Sequence, residues 1–269
     1  MKKLITISAV LVLMAVTTSV AYAALKSDDF SDNSMDTSMW TLYEDNHDSV
    51  WLNETSGRLE LRSTAVAEDL VAVYVANGWG LSPMEDFSFK ADFHNSFTSG
   101  DPHTWATVML GIGKGSDLVA IRGNNAIIDA AWDRSDESDP SPSNSVFGYS
   151  YTVDGNESEF SFQETRDSSD GTLYVSYDTG LDKLYLSHTG YWEINASDTI
   201  SGLLKGEWGG GVVSLFLGGD VENIVAMNSG VAYLDNFAVD SGTIVLVPEP
   251  ATICLLGIGA LSLIRRKKH

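Results

Sequence analysis

A single cysteine, Cys254, in 269 residues excludes an internal disulfide framework and any zinc site built on clustered thiolates. Positive charge is scarce too: 16 lysines and arginines stand against 37 aspartates and glutamates, a formal net charge of −21. Such a chain repels phosphate, so neither nucleic acid nor an anionic membrane surface is an expected partner. Several catalytic templates are missing. There is no Gly-x-Ser-x-Gly elbow, no cysteine in the body to act as nucleophile, and no His-x-x-x-His spacing for a helical zinc site. The glycines of Gly111-Ile112-Gly113-Lys114-Gly115 precede chain that reads as strand, so they predict a hairpin turn and not a phosphate loop. No repeat of 20–50 residues appears, which excludes solenoids and propellers. What remains is 43% hydrophobic and 10% aromatic, enough for a sizeable core and too much for disorder.

The two ends read as addresses. Met1-Lys2-Lys3, an apolar run from Leu4 to Val16, and Ala21-Tyr22-Ala23 form a signal peptide with small residues at the cleavage site. Residues 1–23 are therefore expected to be removed by signal peptidase after Ala23, and the protein to be exported. At the other end, residues 247–269 run from Pro248-Glu249-Pro250 through an apolar stretch, Ile253 to Ile264, to the cations Arg265, Arg266, Lys267 and Lys268. The stretch is shorter than the ~20 residues of a full span. The cations behind it would hold that end in the cytoplasm, giving an inner-membrane-anchored precursor. The two prolines keep the chain extended, a form suited to a protease cleft.

That tail resembles the PEP-CTERM sorting signal of exopolysaccharide-producing bacteria, in its proline–glutamate–proline motif, apolar segment and basic terminus. The resemblance implies recognition by an exosortase-type membrane protease and sorting to the cell surface or extracellular matrix, with exopolysaccharide as a companion. Cys254 lies inside the apolar segment and reads as a small apolar residue. Six of the 16 basic residues sit in the two ends, with only Glu249 among the acids. The body, residues 24–246, keeps 36 acids against 10 bases.

Within the body, alternation dominates over helical spacing. Phe87, Phe89, Ala91 and Phe93 alternate with Ser88, Lys90, Asp92 and His94, which predicts a strand with one wet face. Leu173, Val175 and Tyr177, a turn at Asp178-Thr179-Gly180-Leu181-Asp182, then Leu184 and Leu186 predict a hairpin. Further strands are expected at 58–62, 70–75, 104–112, 118–122, 126–132, 146–151, 159–166, 211–217 and 231–239. One helical turn is predicted over 198–205, with Asp198 as its cap and Ile200, Leu203 and Leu204 on one side. Many short strands and 24 glycines point to one all-β sandwich or barrel. Asp28-Asp29-Phe30, Asp36, Trp40 and Gly57-Arg58-Leu59-Glu60-Leu61, with the closing Tyr233-Leu234-Asp235-Asn236-Phe237, resemble concanavalin A-like (laminin-G-like) jelly rolls. The resemblance implies a jelly-roll β-sandwich whose first and last strands pair.

Some sandwiches of that kind are glycoside hydrolases, whose retaining members need two carboxylates about 5 Å apart. A Glu-x-Asp-x-x-Glu strand would be their mark, and the chain lacks it. Glu193-Ile194-Asn195 begins similarly but carries an amide in the middle, and Glu157 and Glu159 beside Asp154 read as a solvated face. A non-enzymatic reading is therefore expected. His94 and His103 with Asp92 or Asp101 could in principle form a loop-built metal site. For Ca²⁺, two oxygen-rich groups stand out. One is the acidic loop Asp133 to Asp139, which reads more simply as solvated. The other is Asp28, Asp29 and Asp32 with Asp235-Asn236, which would form a structural Ca²⁺ site if the ends of the body meet. Carbohydrate binding would call on Trp79, Trp105, Trp132 and Trp192 as stacking surfaces, with Asn77, Asn124, Asn125 and Asn195 nearby. Each tryptophan has a competing role as core, because sandwiches bury aromatics. Sequons at Asn53, Asn156 and Asn195 matter only where a glycosylation system exists.

Overall fold

The computed structural model describes residues 25–66, 69–97, 104–115, 123–133, 144–165, 168–189, 199–224 and 226–247. At 105, 129, 131–133, 144–146, 148 and 157–165 only the backbone is described. Strands carry the described chain. In order they are β1 (Ser27–Asp28), β2 (Trp40–Glu44), β3 (Val50–Thr55), β4 (Arg58–Ser63), β5 (Leu70–Ala76) and β6 (Trp79–Leu81). Next come β7 (Phe87–Asn95), β8 (Trp105–Lys114), β9 (Asn125–Asp133), β10 (Asn144–Val153) and β11 (Asn156–Thr165). The last are β12 (Asp170–Asp178), β13 (Lys183–His188), β14 (Thr199–Ser201), β15 (Val213–Glu222), β16 (Ala232–Ser241) and β17 (Ile244–Leu246).

They form two antiparallel sheets. The eight-stranded sheet runs β14-β13-β12-β7-β16-β4-β3, with β1 added against β16. The nine-stranded sheet runs β11-β10-β9-β8-β15-β5-β2, with β6 joining β15 and β17 joining β6. The all-β sandwich expected from alternation is what the strand pairing gives. β7 buries every second residue, and its partners β12 and β16 repeat that pattern, so Phe87, Phe89, Phe93, Leu173, Val175, Tyr177, Leu234 and Phe237 share the inter-sheet core. Among the described residues no helix is long and apolar enough to cross a membrane.

The sheets are tied at one corner by an aromatic group. The Trp40 ring lies 5.0 Å from Phe237, 5.9 Å from Trp79 and 6.2 Å from Tyr74, edge-on or tilted. Its indole donates to the Asp28 carboxylate at 2.8 Å, and that of Trp79 donates to the Met39 carbonyl at 2.8 Å. At the other side, buried Asn95 of β7 reaches across to the opposite sheet, donating to the Ala106 and Ala130 carbonyls.

Two local expectations change. The helical turn is a π-helical one over Leu203–Glu207, and Ile200 belongs to β14. Gly202, at φ 73°, breaks the chain between them, so the apolar trio divides between a strand and a turn. Gly111 and Gly113 are not in a turn but inside β8. Gly111 lies beneath the Phe216 ring, where a Cβ would have no room. The strand expected at 118–122 and the cap Asp198 lie outside the described residues.

Candidate functional site

Both ends of the body come to one place. β1 pairs with β16 through Ser27↔Ala238 and Asp28↔Phe237, so the expected meeting of first and late strands is present. The Val239 N–H donates to the Lys26 carbonyl at 2.8 Å, and the Lys26 ammonium stands 5.9 Å over the Trp79 ring. On that same tryptophan's strand, β17 aligns Ile244 with Leu81, Val245 with Gly80 and Leu246 with Trp79. The Val247 N–H closes the ladder on the Gly78 carbonyl at 2.8 Å. Pro248 is the next residue. Ala21 and Ala23 at one end, and Pro248, Glu249, Pro250 and Arg265 to Lys268 at the other, lie outside the described residues.

Beside this junction the loop after β1 gathers acids. Asp28, Asp29, Asp32, Asp36, Lys90 and Asn236 help to bound an open cavity of about 550 Å³. The acids are already occupied as turn-formers. Asp28 accepts from the Phe30 N–H and the Trp40 indole, Asp29 from the Ser31 N–H, Asp32 from the Ser34 N–H, and Asp36 from the Ser38 N–H. Hydrogen bonds from Ser31 and Ser38 hold Asp29 and Asp36 below the usual carboxylate range. Asp235 is pushed up by burial, with Asp92 and Asp29 adding like charge against the relief from the Asn236 N–H. Among the described residues no group of three or more histidines, cysteines or acids is placed to hold a metal ion. Asp28 and Asp235, expected as a Ca²⁺ pair, lie on the adjoining strands β1 and β16 and are not part of such a group. Each Asp28 oxygen accepts one hydrogen bond inside the protein.

A different acid is the unusual one. Glu54 follows Val50 and Leu52 on the inward side of β3 and is 7% exposed. Neither carboxylate oxygen has a hydrogen-bond partner of good geometry, although the Tyr74 hydroxyl is near enough to ease its charge. Burial, followed by the negative charge of Asp28, pushes its carboxyl up to about 7. Desolvation likewise lifts the Tyr74 phenol, with the adjoining Glu54 reinforcing the shift.

The outer faces of the two sheets differ. On that of the nine-stranded sheet, among the described residues, Val71, Val73, Val75, Met109, Ile127 and Tyr43 pack with Phe216. Beside them the Thr107 hydroxyl of β8 donates to Asp220 of the neighbouring β15. The outer face of the eight-stranded sheet is polar and aromatic. His94 of β7 stacks on Tyr233 of β16 at 4.8 Å, and the Arg58 guanidinium of β4 sits 4.2 Å over the same ring. Because β7 and β4 flank β16, the ring is covered on both faces. His94 continues the row to Asp170 at 2.7 Å and Ser96 at 2.9 Å. Beneath Arg58, Glu60 is fully buried between Arg58 (2.7 Å), Arg62 (3.3 Å) and the Ser229 hydroxyl (2.7 Å). Burial pushes the Glu60 carboxyl up, but Ser229 and Arg58 outweigh it and hold the group below its ordinary value.

Of the sequence-predicted stacking residues, Trp79 is corrected: it is 2% exposed, a core residue wedged against Trp40, with no face left for a sugar. Trp105 and Trp132 lie at the ends of β8 and β9, where only the backbone is described. Trp192, Glu193, Asn195, His103, Asp101 and the loop 134–139 lie outside the described residues. Asn77 is used internally, donating to the Thr37 carbonyl. His94 is held by Asp170 and Ser96, and it is not brought to a metal-binding group. Glu54, Glu60 and the row around Tyr233 were not anticipated. The spacing of Arg58, Glu60 and Arg62, which puts all three on one strand face, is the signal that could have found the second of these.

Residues 246–268 match the family model of the PEP-CTERM protein-sorting motif. No curated protein matches the chain in sequence. Among solved structures it is similar to a Bauhinia forficata lectin in complex with GalNAc, at 12% identity and a TM-score of 0.47, covering 84% of this chain and 100% of that one. It is also similar to the metal-free lectin I-B4 from Griffonia simplicifolia, at 16% identity and 0.46, covering 81% and 99%. A third is the kappa-carrageenase of Pseudoalteromonas carrageenovora with an oligotetrasaccharide, at 13% identity and 0.45, covering 85% and 99%. The sandwich itself stands on its own strand pairing. Its last strand runs straight into a PEP-CTERM sorting motif, and that motif marks the chain as an exported protein sorted to the cell envelope.

Proposed function

We propose that the protein is a non-enzymatic bacterial surface or extracellular-matrix component. In this reading signal peptidase releases it after Ala23, and an exosortase-type protease acts at Pro248-Glu249-Pro250. The apolar segment and the cations Arg265 to Lys268 hold the precursor in the inner membrane until then. The observation that carries this reading is the sorting motif joined directly to a sandwich of strongly acidic composition. A body with 36 acids and 10 bases stays soluble, repels its own copies and attracts cationic matrix components. Replacing Pro248, Glu249 and Pro250 with alanine is expected to leave an unprocessed precursor retained in the membrane. Normal tail removal would count against the sorting reading.

A second reading is lectin-like binding of carbohydrate such as exopolysaccharide. One observation favours it. Tyr174 of β12 and Tyr185 of β13 are half-buried and face outward as diagonal neighbours, among Ser176, Ser187, Lys90 and Thr199. Phenol rings rimmed by hydroxyls and an ammonium suit a pyranose face and its hydroxyl groups. Trp105, Trp132 and Trp192 remain further candidates. A glycan array with the exported body tests this: saturable binding lost in Y174A/Y185A supports it, and no binding to any glycan removes it. Release of reducing sugar by the same preparation would instead indicate hydrolysis.

A further inference from the structure

β17 is where the fold and the sorting motif share residues. The motif's first residue, Leu246, is paired with Trp79, and its second, Val247, donates to the Gly78 carbonyl at 2.8 Å. Ile244, 1% exposed, pins the strand to the core. β6, to which it is bonded, pairs with β15 through Leu81↔Val213, and Gly80 lies so close to the Val213 carbonyl that a Cβ there would have no room. Pro248 follows Val247 without a linker. A processing enzyme takes its substrate as extended chain and commonly pairs with the main chain flanking the scissile bond. Here the flank upstream of Pro248 is already committed to β6.

We propose that β17 is a strap, which must peel from β6 before the processing protease can seat Pro248-Glu249-Pro250. A folded body therefore delays removal of its own tail. This inference rests on the sorting reading above and adds a regulatory step to it. Peeling is local, because β17 pairs only with β6 among the described strands, and the β1–β16 and β15–β5 ladders stay closed. Gly242, at φ 120°, turns the chain between β16 and β17 and supplies the hinge. Freeing residues 244–247 lets the motif move roughly 13 Å further from the body, at about 3.3 Å per extended residue.

The test follows tail loss by mass in a pulse-chase of the full-length precursor, made in a host that carries an exosortase-type protease. One variant inserts a flexible Gly/Ser segment of about six residues between Val247 and Pro248, leaving β17, the core and the Pro248-Glu249-Pro250 triplet intact. Tail removal is expected to become roughly tenfold faster or more. Ile244→Asp, which unpins the strap, is expected to act in the same direction. The triple alanine replacement of Pro248, Glu249 and Pro250 serves as the control. If that control stays unprocessed while the insertion leaves the rate unchanged, the strap is overturned and the sorting reading survives. If the control loses its tail at the parental rate, the sorting reading itself fails.

Discussion

Replacing Glu54 with glutamine keeps the shape of the side chain and removes its titration. The folded protein holds the Glu54 carboxyl at about 7, against an ordinary value of 4.5. Folding therefore takes up a proton between those two values. Below pH 4.5 the group is neutral in both states. As pH rises toward 7 the unfolded chain ionises first, so stability falls, and above 7 the loss is complete. At about 1.4 kcal/mol per unit of displacement, the cost at pH 8 is about 3.5 kcal/mol at most. E54Q should therefore be more stable than the parent at pH 8 by about 2–3 kcal/mol, and nearly equal to it at pH 4. Urea unfolding at several pH values, followed by the fluorescence of buried Trp40 and Trp79, reads this difference directly. A gap between the two proteins that stays constant with pH would refute the reasoning. So would an E54Q protein less stable than the parent at pH 8, which would mean that the carboxylate is paired and not stranded.

Glu60 should behave in the opposite sense. Its carboxyl is held below its ordinary value, so its contribution is present above 4.5 and is lost as pH falls through the lower, folded value. Glu60→Ala takes from Arg58, Arg62 and Ser229 the buried carboxylate they share and should cost about 2–4 kcal/mol at pH 7, measured as a fall in the urea midpoint with an unchanged slope. Gly111→Ala places a methyl under the Phe216 ring and should cost about 1–3 kcal/mol. Phe216→Ala in the same chain should recover part of that loss, and a strictly additive double mutant would show that the two sites do not touch.

Much of the fold was legible wherever alternation was long. Phe87 to Asn95 fills nine positions with a strict inside–outside pattern, and the hairpin around Asp178 to Asp182 was read with its two strands in the right relation. β6 and β17 were not readable, since three residues cannot show a period. Ile200, Leu203 and Leu204 fit one helical face in sequence, and the positive φ of Gly202, which divides them, cannot be read from its identity alone. The candidate site was less legible than the fold. Trp79 is a stacking candidate by residue type, yet it lies in the three-residue β6 and packs on Trp40, and so short a strand has no signature of its own. The same alternation that buries Val50 and Leu52 carries Glu54 inward, against the strong tendency of glutamate to stay wet. Residue type and position disagree there, and position prevails. The sorting motif was legible because its meaning lies in linear order, which needs no tertiary structure to be read.

The pairing of β1 with β16 sets a timetable for the exported chain. Ser27 and Asp28 are among the first body residues to emerge, and their partners Ala238 and Phe237 are among the last. Contacts so far apart in sequence carry a high contact order, and such folds close slowly because the loop entropy is lost before the contacts can repay it. The eight-stranded sheet thus cannot be completed until nearly the whole body has left the cytoplasm. Export therefore delivers an open chain, and the acidic sandwich assembles only after nearly all of it has crossed.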